Sequence, residues 1–116
     1  MKIESYLFGE IVIDGIRYTK DLKIIRGKTF DNWWRSQGHT LQLSDILDVV
    51  AAKPSTLIVG TGAYGRMVVK PGLSEELESK GIRIEAFPTE SAIQRFNELA
   101  PQLGHENIAI ALHLTC

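Results

Sequence analysis

The sequence predicts an α/β chain of α+β-like order, with an N-terminal antiparallel hairpin layer followed by a small mixed sheet with covering helices. Three observations predict it. Asp14-Gly15 lies between alternating apolar residues in "EIVIDGIRY". The apolar period changes from two to a helical one after residue 44, and helix-like and strand-like segments alternate from there to the end.

Each element has its own signal. Asp14-Gly15 favours a two-residue turn with positive φ, so Ile13 pairs with Ile16 and Ile11 lies opposite Tyr18 on the same face. "DLKIIRG" (21–27) repeats the alternation and is expected to add a third antiparallel strand, whereas "KTFDNWWRSQGHTLQL" has no period and reads as a long loop. "SDILDVVAA" reads as a short helix with Ser44 as N-cap, Ile46, Leu47, Val49 and Val50 on one face, and Pro54 as the stop. "STLIVG" is apolar throughout, as in a strand buried on both faces. "LSEELESKG" predicts a helix from Ser74 to Gly81, and "IRIEAF" (82–87) a strand. "TESAIQRFNELA" (89–100) opens a helix at Thr89 and aligns Ala92, Ile93, Phe96 and Leu99. In the closing "NIAIALHLTC", Ile108, Ile110, Leu112 and Leu114 face one way, and Ala109, Ala111, His113 and Thr115 the other.

With 116 residues, no internal repeat and no linker-like stretch, residues 1–116 are expected to form a single domain. Thirteen basic and fourteen acidic residues occur without clusters, which excludes a nucleic-acid footprint. No apolar stretch approaches the roughly 20 residues of a membrane span, and "MKIESYLFGE" does not read as a secretory signal. Cys116 is the only cysteine, so no internal disulfide forms, which suits a reducing compartment. These features predict a soluble cytoplasmic protein with no nucleic-acid or membrane partner.

"LIVGTGAYG" (57–65) places glycines at 60, 62 and 65 after a strand, the spacing of a dinucleotide-binding turn. The surroundings argue against that chemistry. "RMVVKP" follows Gly65, with β-branched Val68 and Val69 and then Pro71, so no helix starts there. The acidic residue expected about 20 positions on would be Glu85, which lies mid-strand. No cofactor is therefore predicted, and the glycines read as a tight turn out of a buried strand.

If the strands at 56–60, 82–87 and 107–114 run parallel, their carboxyl ends meet at one edge. That edge would gather Gly60, Thr61 and Gly62, the helix start at Thr89, Glu90 and Ser91, and the tail His113, Thr115 and Cys116, near Arg66. A helix start offers free N–H groups, so a small anion-binding crevice is one expectation. The other is that the chain's own terminal carboxylate, or Glu90, already fills it. His113 and Cys116 are an odd number of residues apart and fall on opposite strand faces, so no catalytic pair is predicted. His39 and His105 show no metal-ligand spacing, and no metal site is predicted. Trp33 and Trp34, beside Arg35, are a candidate interface because an exposed tryptophan makes a strong contact anchor. The competing expectation covers the sheet with one ring and leaves the other at its rim.

Taken together, "WWRSQGH", "TLIVGTG", "GIRIEAFPTESAIQRFNELA" and "IAIALHLTC" resemble the Mth nine-three-eight-like domain family. The family includes an adipogenesis-associated protein and a mitochondrial complex I assembly factor. The specific parts are the glycine loop, the run Thr89, Glu90, Ala92, Phe96 and Asn97, and the ending His113, Thr115 and Cys116. The resemblance implies a three-layer β + β/α fold and assembly or regulatory work through protein contacts, and it assigns no catalytic residue. The leading expectation is a non-enzymatic module that binds a protein partner or self-associates. The alternative is a protein or enzyme that takes a small anion or phosphate-containing ligand in the crevice.

Overall fold

The computed structural model describes residues 1–116. Its first layer is a three-stranded antiparallel sheet of β1 (Ile3–Leu7), β2 (Glu10–Ile13) and β3 (Ile16–Tyr18). The β2–β3 hairpin turns on Asp14 and Gly15, both at positive φ, and pairs Ile13 with Ile16 and Ile11 with Tyr18. The third strand of this layer is β1, not the 21–27 segment the sequence suggested.

That segment is β4 (Leu22–Ile25), and it joins the central sheet together with β5 (Lys28–Phe30), β7 (Thr56–Thr61), β9 (Arg83–Phe87) and β10 (Ile108–His113) in the order β5-β4-β10-β7-β9. The reason is burial. All four β4 residues are buried, including Lys23, and a strand covered on both faces belongs inside a layered sheet rather than in an outer hairpin. β4 and β5 run antiparallel to their neighbours, while β10, β7 and β9 run parallel with Ile110 opposite Ile58 and Ile58 opposite Glu85. The expected long loop contains β5 and a two-residue strand, β6 (Thr40–Leu41), that pairs with β8 (Val68–Val69).

Two cores flank the central sheet, as the alternation in β10 requires. Ile108, Ile110, Leu112 and Leu114 pack with Ile11, Ile13, Phe96 and Ile93 beneath the hairpin layer and α3 (Thr89–Leu103). Ala109 and Ala111 face the other core, where Trp33, Leu57 and Val59 meet α1 (Leu47–Ala52) and α2 (Leu73–Ser79).

The helices begin differently from the sequence reading. A 3₁₀ turn at Leu43–Ile46 leads into α1, and the Asp45 carboxylate takes the N–H groups of Gln42 and Ser36 in place of a Ser44 cap. Leu47 is exposed. α2 starts after Gly72, one residue before Ser74, and Gly81 stops it at a φ of +80°. α3 continues through Pro101, whose exposed position makes the missing N–H tolerable, to Gly104.

Candidate functional site

The three parallel strands deliver their carboxyl ends to one rim, and Thr89 ties that rim together. Its fully buried hydroxyl accepts the Gly62 N–H at 2.9 Å and donates to the His113 carbonyl at 2.6 Å, while its own N–H donates to the Gly62 carbonyl. One hydroxyl thus links the ends of β7 and β10 to the start of α3. Thr61 completes the frame by donating from Oγ1 to the Phe87 carbonyl at the end of β9.

The tail then crosses the glycine loop. The Thr115 carbonyl accepts the Ala63 N–H at 2.6 Å, and the Cys116 carbonyl accepts the Arg66 N–H at 3.1 Å. Leu114 is held from both sides. Its carbonyl accepts Gly9 N–H and the Tyr6 hydroxyl, and its N–H donates to the Asp21 carboxylate. This explains the glycines. At Gly62, with φ at +108°, an added Cβ would run into the Cys116 carbonyl, and at Gly60 it would crowd Leu112 and Thr89. The absent side chains make room for the chain's own tail and helix start.

Of the residues expected at the crevice, Gly60, Thr61, Gly62, Thr89, His113, Thr115 and Cys116 come together, along with the backbone of Arg66. The N–H groups of Gly62, Ala63, Arg66 and Thr89, which an anion would need, are all spent on internal partners. The Arg66 side chain is exposed and lies 5.9 Å from the centre of the Tyr64 ring. Glu90 and Ser91 are exposed on the first turn of α3, and Glu90 borders a groove shared with β1.

His113 is buried in a polar cluster that the sequence did not foreshadow. Its Nδ1 lies 2.8 Å from Asp21 Oδ2 and 3.1 Å from Arg35 Nη2. Because an ionised carboxylate only accepts, the closer contact to Asp21 places the proton on Nδ1, donated to Oδ2. Arg35 Nη2 then donates to Asp21 and to the Gly38 carbonyl, each at 2.9 Å. Burial alone would raise the Asp21 pKa. Hydrogen bonds from His113, the Leu114 N–H and Arg35 outweigh it and hold the carboxyl below its ordinary value. Two buried nitrogens of this cluster have no partner, His113 Nε2 and Arg35 Nη1.

The expected interface divides. Trp33 is 8% exposed, donates from Nε1 to the Asp45 carbonyl and carries Arg35 stacked 4.6 Å from its ring centre. Arg35 is equally enclosed, with 4% of its side chain exposed. Neither the buried Trp33 ring nor the enclosed Arg35 side chain offers much surface for contact. Trp34 does, at 77% exposure. Two further exposed aromatics escaped the sequence reading. Phe8 follows β1 and Tyr64 sits in the glycine loop, 56% and 70% exposed, with ring centres 6.0 Å apart. The available signal was an apolar pair, Leu7-Phe8, placed at a turn before Gly9.

The chain belongs to the family described as protein of unknown function (DUF498/DUF598), whose model matches residues 3–113. Solved structures agree on the fold. The conserved hypothetical protein PH1505 of Pyrococcus horikoshii OT3 is 27% identical, with all of both chains covered and a TM-score of 0.81. A Bordetella pertussis protein described as a Mth938-like domain is 17% identical over 97% of this chain and 85% of its own, with a TM-score of 0.72. A Bartonella henselae protein described as an outer membrane protein is 19% identical over 98% and 94%, with a TM-score of 0.80. The fold is therefore Mth938-like. No helix of this chain is long and apolar enough to cross a membrane.

Proposed function

We propose that the protein is a non-enzymatic binding module that engages a protein partner through the carboxyl rim of its central sheet. The observation that carries this reading is the Phe8–Tyr64 pair, two large exposed rings in contact on turns that the tail pins in place. Aromatic anchors on a preorganised surface are what protein interfaces use, because little conformational freedom is lost when they are covered. Trp34 extends the apolar rim on the β4 side, since the Trp33 N–H bonds to the Asp21 carbonyl and Asp21 in turn holds Leu114. The module acts in the cytoplasm, a reading supported by its lone, unpaired cysteine.

The alternative, a small anion seated among Gly60–Gly62, Thr89–Ser91 and His113–Cys116, is less well supported because the tail already takes the loop's donors. The test compares the wild type with Phe8→Ser/Tyr64→Ser in quantitative affinity capture and in light-scattering mass measurements. A partner or self-association retained by the wild type and lost in the folded double variant supports the reading. Equal capture and equal mass for both proteins contradict it.

A further inference from the structure

We propose that the chain forms a weak homodimer by pairing β9 antiparallel with β9 of a second copy, which joins the two central sheets into one. β9 (Arg83–Phe87) is an outer strand of its sheet, bound to β7 on one side and to no strand on the other. It is the longer of the two edges, five residues against three in β5. An open groove of about 550 Å³ runs beside its first half, lined by Ser55, Glu78 and residues 81–85.

The parallel ladder decides which main-chain groups are free. The Arg83 N–H donates to the Ser55 carbonyl, so Arg83, Glu85 and Phe87 bond to β7 while the N–H and C=O groups of Ile84 and Ala86 point outward. A row of this kind is a template for another strand. Ala86 is exposed and Ile84 half-buried, which leaves room for that strand to approach.

Charge selects the occupant and the register. A two-fold axis through Ile84 sets Ile84 opposite its copy, Ala86 opposite Ile82, and Arg83 opposite Glu85. The outward N–H groups of Ile84 and Ala86 then reach the Ile84 and Ile82 carbonyls of the other copy. Arg83 and Glu85 meet at the positions between those bonds, where facing Cα atoms are about 4.5 Å apart. Arg83 is free to cross, since 72% of its side chain is exposed and its own Glu85, at 3.3 Å, is also held by Arg95 at 2.9 Å. The competing registers are poorer. An axis through Glu85 puts two carboxylates face to face, and one through Ala86 puts Ile84 opposite Pro88, which has no N–H. Read backwards, Arg-Ile-Glu becomes Glu-Ile-Arg, so the strand complements its own copy.

The experiment measures the mass of the full chain by sedimentation equilibrium between about 0.01 and 1 mM, with amide hydrogen exchange followed over the same range. An edge contact of this size lies at the weak end of specific interfaces, so half-association is expected near about 0.1 mM. Exchange at Ile84 and Ala86 should slow as the dimer forms. Arg83→Glu, at an exposed position, should weaken association at least about tenfold, because acids then face acids. Glu85→Arg should do the same with bases. An equimolar mixture of the two variants restores opposite charges at both opposed pairs, and should associate at least about tenfold more tightly than either alone. Ala86→Pro removes only an outward N–H, which an edge strand tolerates, and should weaken the dimer with the unfolding midpoint unchanged. A single-chain mass for the wild type at 1 mM overturns the proposal and leaves the edge to a strand of another protein. Unchanged association in Arg83→Glu or Ala86→Pro also overturns it, as does a mixture no tighter than its components. Phe8→Ser/Tyr64→Ser leaves β9 intact and should keep the dimer mass, so this proposal and the Phe8–Tyr64 reading fail separately.

Discussion

At the scale of single residues, Thr89 has the largest local consequence. Replacing it with Val keeps the volume and removes the hydroxyl, leaving the Gly62 N–H and the His113 carbonyl buried without that partner. Thr89→Val should cost about 2–6 kcal/mol in urea denaturation, at roughly 1–3 kcal/mol for each unsatisfied buried group, and Thr89→Ser should recover most of it. Gly62→Ala should cost more than about 2 kcal/mol, because it combines a positive φ with a collision against the tail. Asp21 sets an acid limit. Its folded pKa is depressed, so as pH falls through the carboxylate range the unfolded chain takes up the proton first. Its contribution is fully present above the ordinary carboxylate pKa and is lost as pH drops through the lower, folded value. In Asp21→Asn the stability measured between neutral pH and pH 3 should therefore fall less steeply than in the wild type.

At the scale of elements, Asn97 shows how a helix holds a strand. Its side-chain amide pairs with both the N–H and the carbonyl of Ile3, acting as a ladder partner where the β1–β2 register shifts between Ile3 and Ser5. Asn97→Ala should cost about 1–2 kcal/mol and should raise hydrogen exchange in β1 before any other strand. The same scale separates what could be read from the sequence and what could not. The β2–β3 register, both faces of β10 and the opening of α3 at Thr89 follow from local patterns, and each is as read. The pattern of β4 points to the wrong sheet because alternation reports that a strand is covered and says nothing about which strand lies beside it. β1 carries no legible pattern, since "IESYL" buries only Ile3 fully and half-buries Tyr6, leaving too few apolar positions to show a period.

For the whole molecule, the parallel alignment of β10, β7 and β9 decides the rest. It brings the glycine loop, the helix start and the tail to one rim, a convergence legible in the sequence from strand order alone. The chain's own tail is one of the occupants the sequence suggests for that rim, but the donors it takes are not legible there. Main-chain pairing of Ala63 and Arg66 with Thr115 and Cys116 leaves no side-chain pattern, and the Asp21–Arg35–His113 cluster joins residues up to 92 positions apart. Loss of the partner in Phe8→Ser/Tyr64→Ser, with unchanged thermal stability, is the expected signature of a surface role. The most direct test of the closed glycine loop is NMR hydrogen exchange at Ala63 and Arg66 with and without added phosphate or NADH. Slow exchange at both amides and no saturable shift on adding either ligand is the predicted result. Fast exchange at these amides, with saturable ligand-induced shifts at Gly62, Ala63 and Arg66, would contradict it and return the loop to anion binding.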